Sequence, residues 1–489
     1  MDFRNLGRFL PLLEIVLINP GASQAIYQGL SDEFTAVEPP TWTRMIAGYL
    51  HNNDYSVAII DQEAEALSVK EVVRRIRTLD PVLAAIVVVG HQPSASTQQM
   101  AGASELAKEG LGVPTIMVGH HPSALPERTL VEESIDYVCD GEGPLTLAAL
   151  LDDVPLNEIP GLVWRGDSGD IWKNPRAPLL PVDELVGNVW DLLPMERYRA
   201  HNWQCLNGTD RSPYASIYTS LGCPFKCSFC MINIFQHTNR YRMRSPKSVI
   251  AEIEMLYTDY GVRTFKIADE MFVLNDRHVQ DICEGLAAKS FADELNIWAY
   301  ARVDTVKPGQ PELLRRAGIR WLALGIESAS SHVRNGTHKS FTRDDIFATV
   351  RMIQAAGINV IGNFIFGLPD DTLESMRATL DMAKELNCEF ANFYSAMAYP
   401  GSELFSEANS RDLPDDWSGY SQHSYDCRPL PTETLSSEEV LSFRDKAFEQ
   451  YFLGRNYLEM IEHKFGRDVR IGIMNMASQR LSRRFQLEY

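Results

Sequence analysis

Two stretches of this chain, residues 14–139 and 216–399, repeat one pattern: a short apolar, often β-branched run, then a segment with helical spacing, then another run. Strands separated by helices pair in parallel, because each helix carries the chain back to the edge where the last strand began. The pattern therefore predicts an α/β protein with two parallel sheets. In the first stretch the runs are EIVLI, YSVAII, AAIVVV, PTIMV and IDYVC, with helices opening at Thr41, at Ser68 and near Ala95. The unbroken apolar character of AAIVVV fits a central strand buried on both faces. Ligands of such doubly wound sheets sit beyond the carboxyl ends of the strands. That rule directs attention to the segments beginning at Asn19, Asp61, Gly90, Gly119 and Asp140.

The second stretch holds six runs, SIYTSL, TFKIAD, NIWAYAR, WLALGIE, VIGNFIFG and FANFYSAMAY. Ser245 followed by Pro246 reads as a helix cap, Thr342 opens another helix, and Gly357 ends it. Six such units make a second doubly wound sheet or a partial barrel with its chemistry at the C-terminal strand ends. Residues 154–207, rich in Pro, Gly, Asp and Trp with β fragments such as GLVWR, read as a connector. From Leu435 a helical tail is expected, capped by Ser436 with Glu438 and Glu439 in its first turn. The expected domains are 1–150, a connector 151–207, a barrel 208–430 and a helical region 431–489.

Forty-six basic against 65 acidic residues leave a net charge of −19, which argues against nucleic acid or an anionic membrane as partner and for a small-molecule substrate. No stretch reaches the roughly 18 uninterrupted apolar residues of a membrane span. The opening segment mimics a secretory signal, but Pro11 and Glu14 spoil it, and residues 14–18 read better as a buried strand. A cytoplasmic protein is expected. Of eight cysteines, Cys139, Cys205, Cys283, Cys388 and Cys427 stand alone, whereas Cys223, Cys227 and Cys230 are clustered. Clustered thiolates in a reducing compartment read as metal ligands before disulfides.

The cluster lies directly after SIYTSL, in GCPFKCSFC, with spacing C-x3-C-x2-C. Three thiolates on one tight loop can hold three corners of a cuboidal iron-sulfur cluster and leave the fourth iron without a protein ligand. A structural zinc site would take four protein ligands, and no other cysteine has a Cys or His neighbour at ligand spacing. The loop, with Phe229 before the third cysteine, resembles that of the radical S-adenosylmethionine (SAM) enzymes. In that family SAM chelates the open iron of a [4Fe-4S] cluster and is cleaved to a 5'-deoxyadenosyl radical.

The resemblance extends to the other strand ends. It implies that Asp269 or Glu270, where the family's glycines are absent, receives the methionine ammonium, and that Arg302 lies near the methionine carboxylate, with Asp304 beside it. It places Glu327 and Ser328 at the ribose, and the backbone of Gly362 and Gly367 near the adenine. Arg240, Arg242, Arg244 and Lys247 form a basic run that reads as a solvated face or as a holder of carboxylate or phosphate.

The first stretch resembles the cobalamin-binding domain that precedes many radical SAM barrels, through IIDQEAEALS, DPVLAAIVVVGHQPS, VPTIMVGHHPSALPERTL and IDYVCDGEG. Where cobalamin mutases carry D-x-H-x-x-G this chain reads Asp61, Gln62, Glu63, Ala64, Glu65, Ala66, without the histidine. The radical SAM branch shares that loss, and Gln62, Glu63 or water remains open as the group facing cobalt. Gly119 and Gly141 are expected beside the nucleotide tail, with His120, Ser94 and Glu142 as polar contacts.

The combined resemblance implies a methyltransferase: hydrogen abstraction from an unactivated carbon by the deoxyadenosyl radical, then methyl transfer from methylcobalamin, with flavodoxin or ferredoxin as reductant. Two alternatives stay open, a non-methylating cyclisation or rearrangement with the same cofactors, and a non-catalytic cobalamin and iron-sulfur sensor or electron carrier.

Overall fold

The computed structural model describes residues 13–21, 26–30, 34–90 and 93–485, without the side chains of 93 and 94. The opening apolar segment through Pro11 lies outside the described residues. Two compact units emerge: one comprises Met1–Ala22, Pro40–Pro194 and Ile234–His237, the other Ser23–Pro39, Met195–Asn233 and Thr238–Tyr489.

The first unit is built on a seven-stranded sheet in the order β2-β1-β3-β4-β5-β6-β7. Its strands are β1 (Ile15–Asn19), β2 (Val57–Asp61), β3 (Leu83–Val88), β4 (Thr115–Gly119), β5 (Tyr137–Cys139), β6 (Leu162–Arg165) and β7 (Ile171–Lys173). Strands β1 to β5 are parallel, and β6 and β7 extend the edge antiparallel. Every residue of β1, β3 and β4 is buried, as continuous apolar runs require of strands covered on both faces. The order reverses between β1 and β3, which makes a switch point at Asn19 and Gly90 where open α/β sheets take ligands. The expected connector is thus divided: GLVWR becomes an edge strand of this sheet, and the residues from Met195 onward join the second unit.

The second unit carries β8 (Tyr214–Ile217), the short antiparallel pair β9 (Ser220–Leu221) and β10 (Arg242–Met243), then β11 (Thr264–Ile267), β12 (Asn296–Arg302), β13 (Ile319–Glu327), β14 (Asn359–Phe366) and β15 (Phe390–Ser395). The six parallel strands run β15-β14-β13-β12-β11-β8, each beside its successor in the chain. An unreversed order sends every right-handed crossover to one face, so the sheet curls into a partial barrel rather than a doubly wound layer. Ser245 caps the helix Pro246–Tyr260, Thr342 and Asp345 form a capping box on Arg343–Ala355, and Ser436 with Glu439 does the same for Ser437–Phe452. The tail is helical, with Ser437–Phe452, Arg455–Phe465 and Arg467–Ser478.

One end of the barrel is filled. The Trp203 ring meets Trp298, Trp321 and Phe390 at 5.5, 5.3 and 5.6 Å. The Gln204 amide donates to the carbonyls of Phe265 and Asn296. These partners lie early in β12, β13 and β15, so the plug closes the N-terminal ends of the strands, away from the cysteine loop.

Candidate functional site

The cysteine loop bridges β9 and β10, and its geometry is set by a residue the sequence did not single out. Asn233 Oδ1 accepts the Cys223 N–H at 3.1 Å while Asn233 Nδ2 donates to the Cys223 carbonyl at 2.7 Å and to Asn239 Oδ1 at 3.1 Å. The Cys230 N–H closes a turn onto the Cys227 carbonyl at 3.0 Å. All three thiols are partly exposed. Burial pushes Cys223 up to about 11 and Cys230 to about 12, and raises Cys227, each aggravated by neighbouring anions. Thiolates there need a cationic partner, which iron supplies. Among the described residues no three His, Cys, Asp or Glu side chains converge on one ion. Three thiols on one loop match a cubane with one iron left open, whereas a structural zinc site takes four protein ligands, so the donor set fits a cluster better than zinc.

The structure brings several strand ends to this loop. The Glu270 carboxylate accepts the Gly222 N–H at 3.0 Å, one residue before Cys223. Arg302 stacks on Phe225 at 3.6 Å, reaches the Cys227 sulfur at 3.9 Å and is clamped by Asp304 through two bonds of 2.9 Å. Glu327, with φ +66°, is buried against the Lys339 ammonium, which also donates to the Gly325 carbonyl at 3.3 Å and lies 5.9 Å from the Phe229 ring. Lys339 was not legible beforehand, since it follows a short helix with no spacing that marks it.

Asp269 requires a correction. Its carboxylate is fully buried and accepts Thr219 N at 2.6 Å, Thr219 Oγ1 at 2.5 Å and Ser220 Oγ at 2.5 Å, so it braces the start of β9 rather than waiting for an ammonium. Glu270 is left as the acidic group at this end, its carboxyl raised by burial and by Asp269 to about 8. Ser328 is likewise spent, sharing a hydrogen bond with Thr379 and accepting the Ser330 N–H. Gly367, at φ +78°, meets the C-terminal region: a Cβ there would lie 2.4 Å from Val440. In the basic run, Arg244 is buried, its two terminal nitrogens tied to Glu252, Ser248 and the Tyr218 carbonyl.

In the first unit the Gln62 amide is also consumed, accepting the Gly21 N–H at 3.0 Å and donating to the Leu67 carbonyl at 3.2 Å. That holds the Gln62 side chain within its own loop. Gly119 cannot carry a side chain, since its Cβ would stand 2.3 Å from the Val88 carbonyl, whereas the nearest atom to a Cβ at Gly141 is 4.0 Å away. His120 is buried, with Nδ1 3.2 Å from Ser96 Oγ and its ring centroid 4.2 Å from that of Phe235, edge to face. The Glu142 carbonyl accepts the Trp42 indole N–H at 3.1 Å. The Ser94 side chain lies outside the described residues.

Residues 27–151 match the B12 binding domain and residues 217–383 match the radical SAM superfamily. The chain thus carries a B12-binding domain followed by a radical SAM domain. An uncharacterized methyltransferase of Pyrococcus horikoshii is 29% identical over 93% of this chain and 96% of its own length. The anaerobic magnesium-protoporphyrin IX monomethyl ester cyclase of Rubrivivax gelatinosus is 24% identical over 91% of this chain and 79% of that protein. Among solved structures, the radical SAM methyltransferase TsrM of Kitasatospora setae, with cobalamin and a [4Fe-4S] cluster bound, superposes with TM-score 0.66 at 16% identity. That match covers 96% of this chain and 100% of that one. The chain combines a doubly wound first domain with a partial barrel. No helix among the described residues is long and apolar enough to cross a membrane.

Proposed function

We propose that this chain is a methyltransferase that places a methyl group on an unactivated carbon of a small-molecule substrate. The observation that carries the reading is a relative named as a methyltransferase that spans 96% of its own length and 93% of this chain. When bound, the cluster and cobalamin supply one-electron cleavage of SAM and a transferable methyl group, which no side chain offers. Cys223, Cys227 and Cys230 hold three irons on a loop that Asn233 keeps closed. Glu270 receives the methionine ammonium, Arg302 faces the carboxylate while Asp304 fixes its plane, and Glu327, oriented by Lys339, meets the ribose. Gly119 and Gly141 give backbone access to the cobalamin tail beside His120 and Glu142. The filled end of the barrel keeps bulk water from that side of the reacting carbon. Flavodoxin or ferredoxin is the reductant this reading calls for.

A second reading, oxidative cyclisation with the same cofactors, rests on the cyclase relative. Anaerobic reconstitution with iron, sulfide and hydroxocobalamin tests the shared cofactor set. Wild type should retain about four irons and a near-stoichiometric amount of cobalt, and a triple alanine variant at the three cysteines should lose the iron and keep the cobalt. Incubation with methyl-labelled SAM and candidate substrates then separates the readings. Label in the product supports methyl transfer, whereas a changed product without label supports cyclisation.

A further inference from the structure

Four positions after Cys230 the chain enters the first unit, since Ile234–His237 is part of that unit while Asn233 and Thr238 are not. So short an excursion has no core of its own and is held by its contacts, which Phe235 supplies. The residue is 4% exposed, its ring centroid 4.2 Å from that of His120, edge to face, and 5.0 Å from that of Trp42. Rings in this arrangement attract one another beyond the area they bury. The main chain beside it is fixed as well. Arg176 Nη1 donates to the Ile234 carbonyl at 2.9 Å, and Arg176 Nη2 is paired with the buried Asp140.

The seat of this ring is built from residues proposed above to hold cobalamin. His120 follows β4, and its Nδ1 lies 3.2 Å from Ser96 Oγ, which accepts the Gly90 N–H at 3.0 Å. The segments after β3 and β4 thus hold the imidazole together. Trp42, the other neighbour of the Phe235 ring, donates its indole N–H to the Glu142 carbonyl at 3.1 Å. The nearest atom to a Cβ placed on Gly141 is the Phe235 carbonyl, at 4.0 Å. The Phe235 segment therefore rests on or beside His120, Gly141 and Glu142.

On its other side the segment continues the cysteine loop. Asn233, which grips both main-chain groups of Cys223, immediately precedes Ile234. Three residues separate Cys230 from Ile234, too short a tether for one end to become ordered without the other. A ligand that orders the seat of Phe235 removes part of the freedom that the cysteine loop would lose on closing round a cluster, and by linkage the reverse holds equally.

We propose that Phe235 is a positioning residue that couples the two cofactor sites with positive sign, so that cobalamin bound at the first tightens the hold of the cysteine loop on iron. The inference rests on the proposed function only in taking His120, Gly141 and Glu142 as contacts of cobalamin and the three cysteines as ligands of the cluster.

The test follows iron release to a colorimetric chelator, anaerobically, from the reconstituted full chain with and without hydroxocobalamin. Wild type is compared with Phe235→Ala and with the milder Phe235→Leu, which keeps apolar bulk and loses the ring edge. Cobalamin should slow release from wild type at least about fivefold, the low end of ordinary coupling. The slowing should fall below about twofold in Phe235→Ala and be at least halved in Phe235→Leu, with cobalamin still bound by both. The reciprocal reading is cobalamin affinity by absorbance. The triple alanine variant at the cysteines should bind about fivefold more weakly than cluster-loaded wild type, and adding Phe235→Ala should leave no such difference. Release from wild type that cobalamin leaves unchanged or hastens overturns the inference. So does a Phe235→Ala variant that speeds release by the same factor with and without cobalamin, the mark of a merely structural residue. If wild type retains no cobalt, the cobalamin assignment falls and the inference with it, whereas cobalt and iron retained without coupling remove the inference alone. Labelled-methyl transfer is scored separately, and coupling without transfer keeps the inference and removes the proposed reaction.

Discussion

At the scale of single residues, adjacent positions can have opposite employments, as Asp269 and Glu270 do. Asp269 is sealed by three short hydrogen bonds, so Asp269→Ala takes the acceptor from the buried Thr219 amide and from two hydroxyls and should cost about 3–5 kcal/mol. A urea melt measures it. Glu270→Gln keeps the shape and removes the carboxyl's ability to ionise against an incoming ammonium. It should leave melting and iron content alone while weakening SAM binding about tenfold, equivalent to about 1.4 kcal/mol, measured by equilibrium dialysis. If the two variants exchanged phenotypes, the assignment would be reversed. Asn233 is the complementary case. Its side chain grips both main-chain groups of Cys223, so Asn233→Ala should lower iron retained after desalting with the circular dichroism unchanged. Asn233→Asp, which keeps the acceptor and loses the donor, should fall between. The cysteines were legible because thiolate spacing is rare and chemically demanding. Asn233 and Lys339 were not, because a lone asparagine or lysine in a loop signals nothing until the fold brings it to its partner.

At the scale of elements, the strand ends were legible wherever an apolar run met a turn, since burial and the Gly, Pro or acidic residue that stops it are both local. NIWAYAR became β12 without change, and Ser68, Thr342 and Ser436 capped helices as their side chains allow. What local pattern could not supply was the use of a turn. Gly367 reads as a backbone approach to adenine, yet it also seats the turn after β14 against Val440. Its positive φ and the 2.4 Å approach make Gly367→Ala unfavourable on two counts, about 1–3 kcal/mol together. Adding Val440→Ala relieves only the steric part. A double-mutant cycle by thermal melting should therefore show partial rescue, and full additivity would mean that the two residues do not meet.

At the scale of the molecule, two parallel sheets with different strand orders explain why one chain can house two cofactors of unlike shape. The reversal between β1 and β3 opens a crevice in the first sheet, and the unreversed order of the second closes a cup around its strand ends. Sequence periodicity announced both sheets but could not choose between a barrel and a second doubly wound layer, because strand order is a long-range property. Each unit also holds a histidine that acid must find, His121 buried and His423 half-buried. Burial, with Arg128 nearby, lowers His121 in the first unit to about 3. Burial, with Arg444 and Arg483 nearby and against the opposing pull of Asp445, lowers His423 in the second to about 3. In the unfolded chain both would take up a proton near pH 6.5, so there the unfolded state binds more protons than the folded one. The stability these neutral imidazoles confer is therefore complete above pH 6.5 and lost as the pH falls toward 3. Replacing either with glutamine removes its share of that dependence. Hydrogen exchange followed by mass spectrometry between pH 7 and 4 should show His121→Gln protecting first-unit peptides against acid-induced opening, and His423→Gln protecting second-unit peptides. Variants that open at the same pH as wild type in their own unit would place the acid sensitivity on other groups.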